Sequence, residues 1–240
     1  MVVAIMQPYF FPYIGYFQLM QAVDCFVFYD DAQYMKGGWI NRNRILREGA
    51  PAWWTRPIVR DSYRLPISQR RYSDAISDKE SLLGQLDGAY RKAPQFSAVM
   101  PALRHWMHEL DTCVADFNKK TLTSMARMFG VKCDFRVSSE FPQTAHLKGQ
   151  DRVISICQQL GATHYLNASG GRHLYDSDAF NQAGIELSFT SSLQTQYPQF
   201  SNKHVPFLSI VDVMMFNDPY QISGLLNQYK VLAASEICSK

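Results

Sequence analysis

Apolar positions fall into short runs separated by strong breakers. Val2–Met6 is an uninterrupted apolar run of strand length, and Cys25–Tyr29 is another. Between them lies Gln7-Pro8-Tyr9-Phe10-Phe11-Pro12, whose prolines disfavour helix in the residue before them and supply no ladder donor, so the first strand must stop there. Gly15–Val23 then carries Phe17, Met20 and Val23 at near three-residue spacing, which predicts a helix. Strand, loop, helix and strand within about 30 residues is the size of a βαβ unit. Such units place ligands at the carboxyl ends of their strands. The Gln7–Tyr16 loop and the Asp30–Arg44 segment are therefore expected side by side, at the site.

The pattern then changes. Lys36–Arg44 reads as loop because adjacent glycines break any period. Trp53–Val59 reads as a strand and Arg60–Asp78 as a polar stretch. Three helices are predicted over Ser81–Lys92, Gln95–Leu110 and Ala115–Phe129, with Pro101 either starting a helix or kinking one. Leu103, Trp106, Met107 and Leu110 form the apolar stripe of the second. Alternation resumes with a strand at Cys133–Ser138, a helix at Asp151–Leu160 closed by Gly161, and a strand at Thr163–Leu166. A small-residue loop, Asn167–Gly171, leads to a short helix over Tyr175–Ala183, and Ile185–Phe189 makes a further strand. Pro206–Phe216 reads as an apolar helix, and Asp218-Pro219 starts a last helix ending near Ala234. The fold class expected is α/β: a Rossmann-like, doubly wound parallel sheet with a helical insertion or cap. Residues 1–60 and 130–240 would form the core, and residues 61–129 the insertion.

Composition narrows the function classes. A net charge of +3 across 240 residues is too small to define a nucleic-acid surface. Five scattered cysteines without a CxxC pair argue against a zinc site or a disulfide framework and for a reducing compartment. Neither a signal peptide nor a membrane-spanning run is present, so the expected location is cytoplasmic. Aromatic residues make up 13% of the chain and crowd its first quarter, where polar-tipped rings line a pocket as readily as they fill a core.

Candidate chemistry concentrates in the opening stretch. Asp30 and Asp31 end the second strand, where a carboxylate serves either as a proton acceptor or as a turn cap. Successive strand residues point to opposite faces, so one would be the base and the other structural. Gln7, Gln33, Tyr34, Asn41, Arg42 and Arg44 offer amide, phenol and guanidinium groups suited to sugar hydroxyls and a diphosphate, with the two arginines the better phosphate ligands. Ser169 and Gly170 present backbone donors to an anion, or simply turn the chain. His164 reads as a core residue, whereas His173 and His204 are freer to act. Cys25 and Cys157 read as core, which disfavours a thiol nucleophile. No metal-ligand spacing appears.

Four runs carry a resemblance to a known family: QPYFFPYIGYF at Gln7–Phe17, FVFYDDAQYMKGGWINRNRI at Phe26–Ile45, YLNASGGRHLY at Tyr165–Tyr175 and HVPFLSIVDVMMFN at His204–Asn217. Together they resemble the WbqC-like protein family of bacterial O-antigen and surface-polysaccharide gene clusters. A distant architectural likeness links the first turn to the H-x-G-H motif of nucleotidylyltransferases and pantothenate synthetases. Tyr13-Ile14-Gly15-Tyr16 would stand in its place; Gly15 keeps a close backbone approach, but neutral tyrosines cannot supply imidazolium charge. The family resemblance implies a transferase in surface-polysaccharide biosynthesis that moves an aminoacyl (glycyl) or acyl group to the amine of a nucleotide-linked amino sugar. No tightly bound cofactor is expected; the donor would be a phosphopantetheine thioester on an acyl carrier protein. Asp30 or Asp31 would take the proton, Tyr9 or Tyr13 would donate to the oxyanion, and Arg42 would hold phosphate. The rival readings are a nucleotidyltransferase-like enzyme using ATP and a non-catalytic protein that binds a glycan intermediate.

Overall fold

The computed structural model describes residues 1–62, 64–109, 111–192, 195–201 and 203–234. Six strands form the main sheet: β1 (Val2–Met6), β2 (Cys25–Phe28), β5 (Asp134–Val137), β6 (His164–Ala168), β7 (Glu186–Ser192) and β8 (Tyr229–Ala233). Their spatial order is β5-β2-β1-β6-β7-β8, all neighbours pairing in parallel except β7 with β8. Helices cover both faces, as expected of a Rossmann-like α/β fold. The alternation of side chains across each strand assigns them. Val3, Ile5, Cys25, Val27, Tyr165, Leu187 and Phe189 pack with α5 (Gly149–Gln159) and α6 (Ser177–Gln182). Ala4, Phe26, Phe28 and Leu166 face α1 (Ile14–Gln21), and that cluster runs unbroken into α2 (Ile76–Tyr90), α3 (Phe96–Glu109) and α4 (Val114–Met128).

A separate antiparallel hairpin, β3 (Arg42–Arg47) and β4 (Ala50–Thr55), stands beside this sheet. Its turn is Glu48-Gly49, both left-handed at φ 52° and 76°, as a tight two-residue hairpin requires. The inner face buries Asn43, Ile45 and Trp54, and the outer face carries Arg42, Arg44 and Trp53. Arg56 fastens the hairpin to α4. Its buried guanidinium lies 4.3 Å from the Tyr72 ring and 4.2 Å from that of Phe117, and it is held by ring faces rather than by hydrogen bonds.

Several element boundaries differ from expectation. The hairpin turn starts β4 at Ala50, so the strand expected over Trp53–Val59 ends before Pro57, and the segment read as loop to Arg44 becomes strand at Arg42. The polar stretch holds a 3-10 turn at Ile67–Gln69, and α2 begins within it at Ile76. Pro101 stays inside α3, while Leu110 lies outside the described residues. The short helix expected over Tyr175–Ala183 is α6, and the small-residue loop before it winds into a 3-10 segment, Ser169–Leu174. Ser209 caps α7 (Ile210–Phe216) through its hydroxyl, which places the start of that helix four residues after Pro206. The last helix, α8 (Pro219–Leu226), does not reach Ala234. Gln18 donates to the carbonyls of Leu225 (3.0 Å) and Gln228 (3.1 Å), closing the helix end, and the β-prone run Tyr229–Ala233 joins the sheet edge. His164 is exposed on β6, 2.9 Å from Glu186, because the core side of that strand is taken by Tyr165 and its neighbours. Cys25, Cys113, Cys133 and Cys157 are free thiols, and Cys238 lies outside the described residues. No helix among the described residues is long and apolar enough to cross a membrane.

Buried Asn118 ties three regions together: its amide donates to the carbonyls of Pro8 and Ile40, both at 2.8 Å, and its carbonyl accepts from Tyr72 at 2.9 Å. Asn118→Ala leaves the Pro8 carbonyl unmet, at roughly 1–3 kcal/mol before relaxation, while Tyr72 still donates to the Ile40 carbonyl at 2.9 Å. Urea denaturation should therefore show a loss of about 1–3 kcal/mol with an unchanged m-value. A near-neutral result would mean that the loop does not depend on this side chain.

Candidate functional site

Strand order reverses around β1. The chain passes from β1 to β2 and β5 on one side and then crosses to β6 and β7 on the other, so the switch point lies between β1 and β6. Their ladder is short: Val2 pairs with His164 and Val3 with Tyr165, and no pairing continues toward the carboxyl ends. Tyr165 spans the opening by donating to the Ile5 carbonyl at 3.4 Å, while Asn167 donates to the hydroxyls of Tyr165 (2.8 Å) and Tyr175 (3.0 Å).

The loop that leaves β1 is largely buried, unlike most loops, and its carbonyls need donors. They receive them from distant elements. Tyr16 serves Gln7 at 2.7 Å, Asn118 serves Pro8, Asn43 serves Phe10 and Phe11 at 3.2 and 2.9 Å, Ser209 serves Phe11 at 2.7 Å, and the Ile210 amide serves Pro12 at 2.7 Å. Phe11 is held at φ 41°, a left-handed conformation that costs a non-glycine residue about 1 kcal/mol or more.

Beside this loop is a cavity of about 250 Å³ lined by Tyr9, Pro12, Tyr13, Trp39, Asn43, Arg44 and Phe207. It is walled by rings and carries one cation. Arg44 donates to the Phe207 carbonyl at 3.2 Å, and its Nε is buried without a partner. Phe207 is 54% exposed, sits at φ 57° and packs edge-on to Tyr13 at 6.2 Å, so a strained residue lines the cavity itself. Tyr13 lies over Gly15: a Cβ there would come within 2.3 Å of the Tyr13 ring, so the glycine makes room for that tyrosine. Burial, then the neighbouring Tyr13 and Tyr175, push the Tyr9 hydroxyl above its ordinary pKa, and burial does the same for Tyr13. Both remain proton donors at neutral pH.

A narrow crevice continues from Tyr13 and Phe207 past Ile14, Ser192 and Thr195 to Tyr197 and His204. The Nδ1 of His204 is buried without a partner, and its ring meets that of Tyr197 edge-on at 4.9 Å. Behind them Asp212 accepts from Tyr197 (2.6 Å), Gln199 (2.7 Å) and Tyr90 (2.8 Å). Burial raises the Asp212 pKa, an effect those donors and His204 oppose.

Of the residues singled out in the sequence, Tyr9, Tyr13 and Arg44 line the cavity, with Gly15 buried beneath the Tyr13 ring and His204 in the adjoining crevice. Gln7 is tied through its carbonyl to Tyr16 at the end of β1. Asp30 and Asp31 stand at the end of β2 with every oxygen engaged. Asp30 receives Lys119 at 3.0 Å and Ser138 and Ser139 at 3.2 Å; Asp31 receives Ser138 and Arg152. Tyr34 donates to Asn41 at 3.0 Å, Asn41 donates to the Arg56 carbonyl at 2.9 Å, and exposed Gln33 bridges to Pro66. Arg42 folds back onto the Gly37 and Gly38 carbonyls and over Trp53 at 4.1 Å. Ser169, Gly170 and His173 lie exposed in the 3-10 segment after β6. Trp39, Asn43, Phe207, Tyr197 and Asp212 were not anticipated. For Asn43 a signal existed, since it sits between two predicted phosphate ligands, but not for the others.

Fold and site together describe a Rossmann-like α/β protein whose glycine-rich phosphate loop is replaced by an aromatic one. The chain belongs to the WbqC-like protein family, whose model matches residues 7–223. It is also similar to the uncharacterized protein Rv1507c of Mycobacterium tuberculosis, at 28% identity over 218 residues that span 90% of this chain and 93% of that one. No solved structure matches the chain significantly.

The two carboxylates at the end of β2 lend themselves to a direct check. Asp30→Asn and Asp31→Asn each remove charge-assisted hydrogen bonds worth roughly 1.5–3 kcal/mol. The loss should be larger for Asp30, which is nearly inaccessible, than for Asp31. Equilibrium unfolding at low and high salt measures both; equal and strongly salt-dependent losses would contradict the buried pairing.

Proposed function

We propose that the protein is a transferase of surface-polysaccharide biosynthesis that passes an acyl or aminoacyl group to the amine of a nucleotide-linked amino sugar. The observation that carries this reading is the ring-walled cavity with its single guanidinium. Tyr13 and Trp39 offer flat faces to a sugar ring, and Arg44 a charge to the adjoining phosphate. Family membership supports the same setting.

In the reaction the sugar amine attacks a thioester carbonyl, a C–N bond forms, the C–S bond breaks and the carrier thiol leaves with a proton. The protein must orient the amine, accept its proton and steady the oxyanion. Tyr9 or Tyr13 donates to the oxyanion, being buried and protonated. His204 accepts the proton in preference to Asp30 or Asp31, whose oxygens already have donors. The crevice between His204 and Tyr13 joins the two roles.

Mass spectrometry on mixtures of nucleotide-linked amino sugars with glycyl- and acetyl-loaded carrier protein tests this. An acylated sugar should form with the intact protein. His204→Gln should lose on the order of 10²- to 10⁴-fold in kcat with binding nearly unchanged. Arg44→Ala should instead weaken nucleotide-sugar binding roughly 10- to 150-fold. ATP consumption with an adenylylated product, or tight binding with no product from any donor, would replace this reading with one of its rivals.

A further inference from the structure

Beyond the cavity, the outer face of the β3–β4 hairpin carries a group that packing does not require. Arg44 stands directly opposite Trp53 in the antiparallel register, with Arg42 one position further along the same face. Trp53 is 50% exposed and Trp39 is 37% exposed, with ring centroids 5.6 Å apart. Arg42 lies over Trp53 at 4.1 Å and Arg44 lies 5.7 Å from the Trp39 ring. Among the described residues neither arginine has a carboxylate within 4.0 Å, whereas Arg71, Arg91, Arg136 and Arg152 all do. Two partly exposed tryptophans in ring contact, with a guanidinium group beside each, form an exposed aromatic patch of the kind that marks a binding site.

The platform is continuous with the cavity, because Trp39 and Arg44 belong to both. The cavity's volume of about 250 Å³ lies below the roughly 300–1,000 Å³ of sites that enclose a whole drug-sized ligand. A sugar ring fits inside it; a sugar, two phosphates and a nucleoside do not. Arg44 and Trp39 line the cavity on the side of Trp53, which gives the remainder a charged and aromatic surface to follow.

We infer that this face is the nucleoside subsite: the base stacks on the Trp39–Trp53 platform while Arg44, with Arg42 beyond it, faces the diphosphate. The assignment rests on the proposed reading of the cavity and adds to it the part of the substrate that is recognised outside. Cations beside the rings favour a nucleotide over a neutral glycan, since stacking alone would serve the latter and leave the guanidinium groups unmatched.

Titration of the intact protein with UDP, dTDP, GDP, CDP, ADP and pyrophosphate, followed by tryptophan fluorescence and calorimetry, tests the assignment. At least one nucleoside diphosphate should quench the emission and bind more tightly than pyrophosphate. Trp53→Ala should weaken that binding roughly 5- to 150-fold, the range for removing one stacking side chain, and leave pyrophosphate affinity unchanged. Trp53→Phe should restore most of the loss, and because Trp53 lies on the outer face the melting temperature should hold in both variants. Equal weakening of nucleotide and pyrophosphate, wild-type affinity in Trp53→Ala, or preferential quenching by an uncharged oligosaccharide would overturn the subsite. Turnover that falls in Arg44→Ala and stays intact in Trp53→Ala would overturn the platform but keep the cavity reading. Nucleoside diphosphates that bind through Trp53, with no nucleotide sugar ever acylated, would do the reverse.

Discussion

Everything at the site depends on hydrogen bonds to one irregular, buried loop. Gln7–Tyr13 has the composition of a core segment and the backbone of a turn, so its peptide groups are neither in a helix nor in a sheet. Water cannot satisfy them. The donors come instead from α1, β3, α4 and the start of α7, through Tyr16, Asn43, Asn118, Ser209 and the Ile210 amide. Each of these elements is thereby fixed relative to β1, and the loop acts as the joint between the sheet, the hairpin and the helical block. An unmet buried carbonyl costs about 1–3 kcal/mol, so losing two such donors would remove a large part of the stability of an ordinary domain.

The same restraint shapes the cavity. Asn43 and Ser209 hold the Phe11 carbonyl while Phe11 stays left-handed, and Phe207 adopts a left-handed conformation two residues before Ser209. Phe207 borders the ring-lined space, Phe11 lies buried beside its lining residue Pro12, and Gly15 makes room for the Tyr13 ring. The site in the usual Rossmann position is thus prepared without the glycine-rich loop. Backbone donors for a phosphate give way to aromatic faces and a guanidinium, which suits a ligand with a ring to stack and a charge to place.

The βαβ opening and the parallel strands were legible because short apolar runs of strand length, bounded by proline, glycine or aspartate, admit few alternatives. β8 was not, since Tyr229–Ala233 follows α8 with no proline or glycine between them, and the buried Gln18 that helps end that helix lies far away in the chain. That Tyr9, Tyr13 and Arg44 would come close together was legible from their place after β1 and β2, and they line one cavity. The engagement of Asp30 and Asp31 was hidden, because Lys119, Ser138 and Arg152 lie far along the chain and only the tertiary fold brings them in. Phe207 and Trp39 were hidden for a different reason: an aromatic residue reads as core until its exposure is seen.

The claim on which the account turns is that the ligand site is the ring-walled cavity rather than the charged end of β2. Crystals of the protein soaked with a nucleotide-linked amino sugar would measure this directly. Difference density for a sugar ring between Tyr13 and Trp39, with a phosphate oxygen within hydrogen-bonding distance of Arg44, is the result expected. Density beside Asp31 and Arg152, or against Ser169 and Gly170, with the cavity empty, would contradict it.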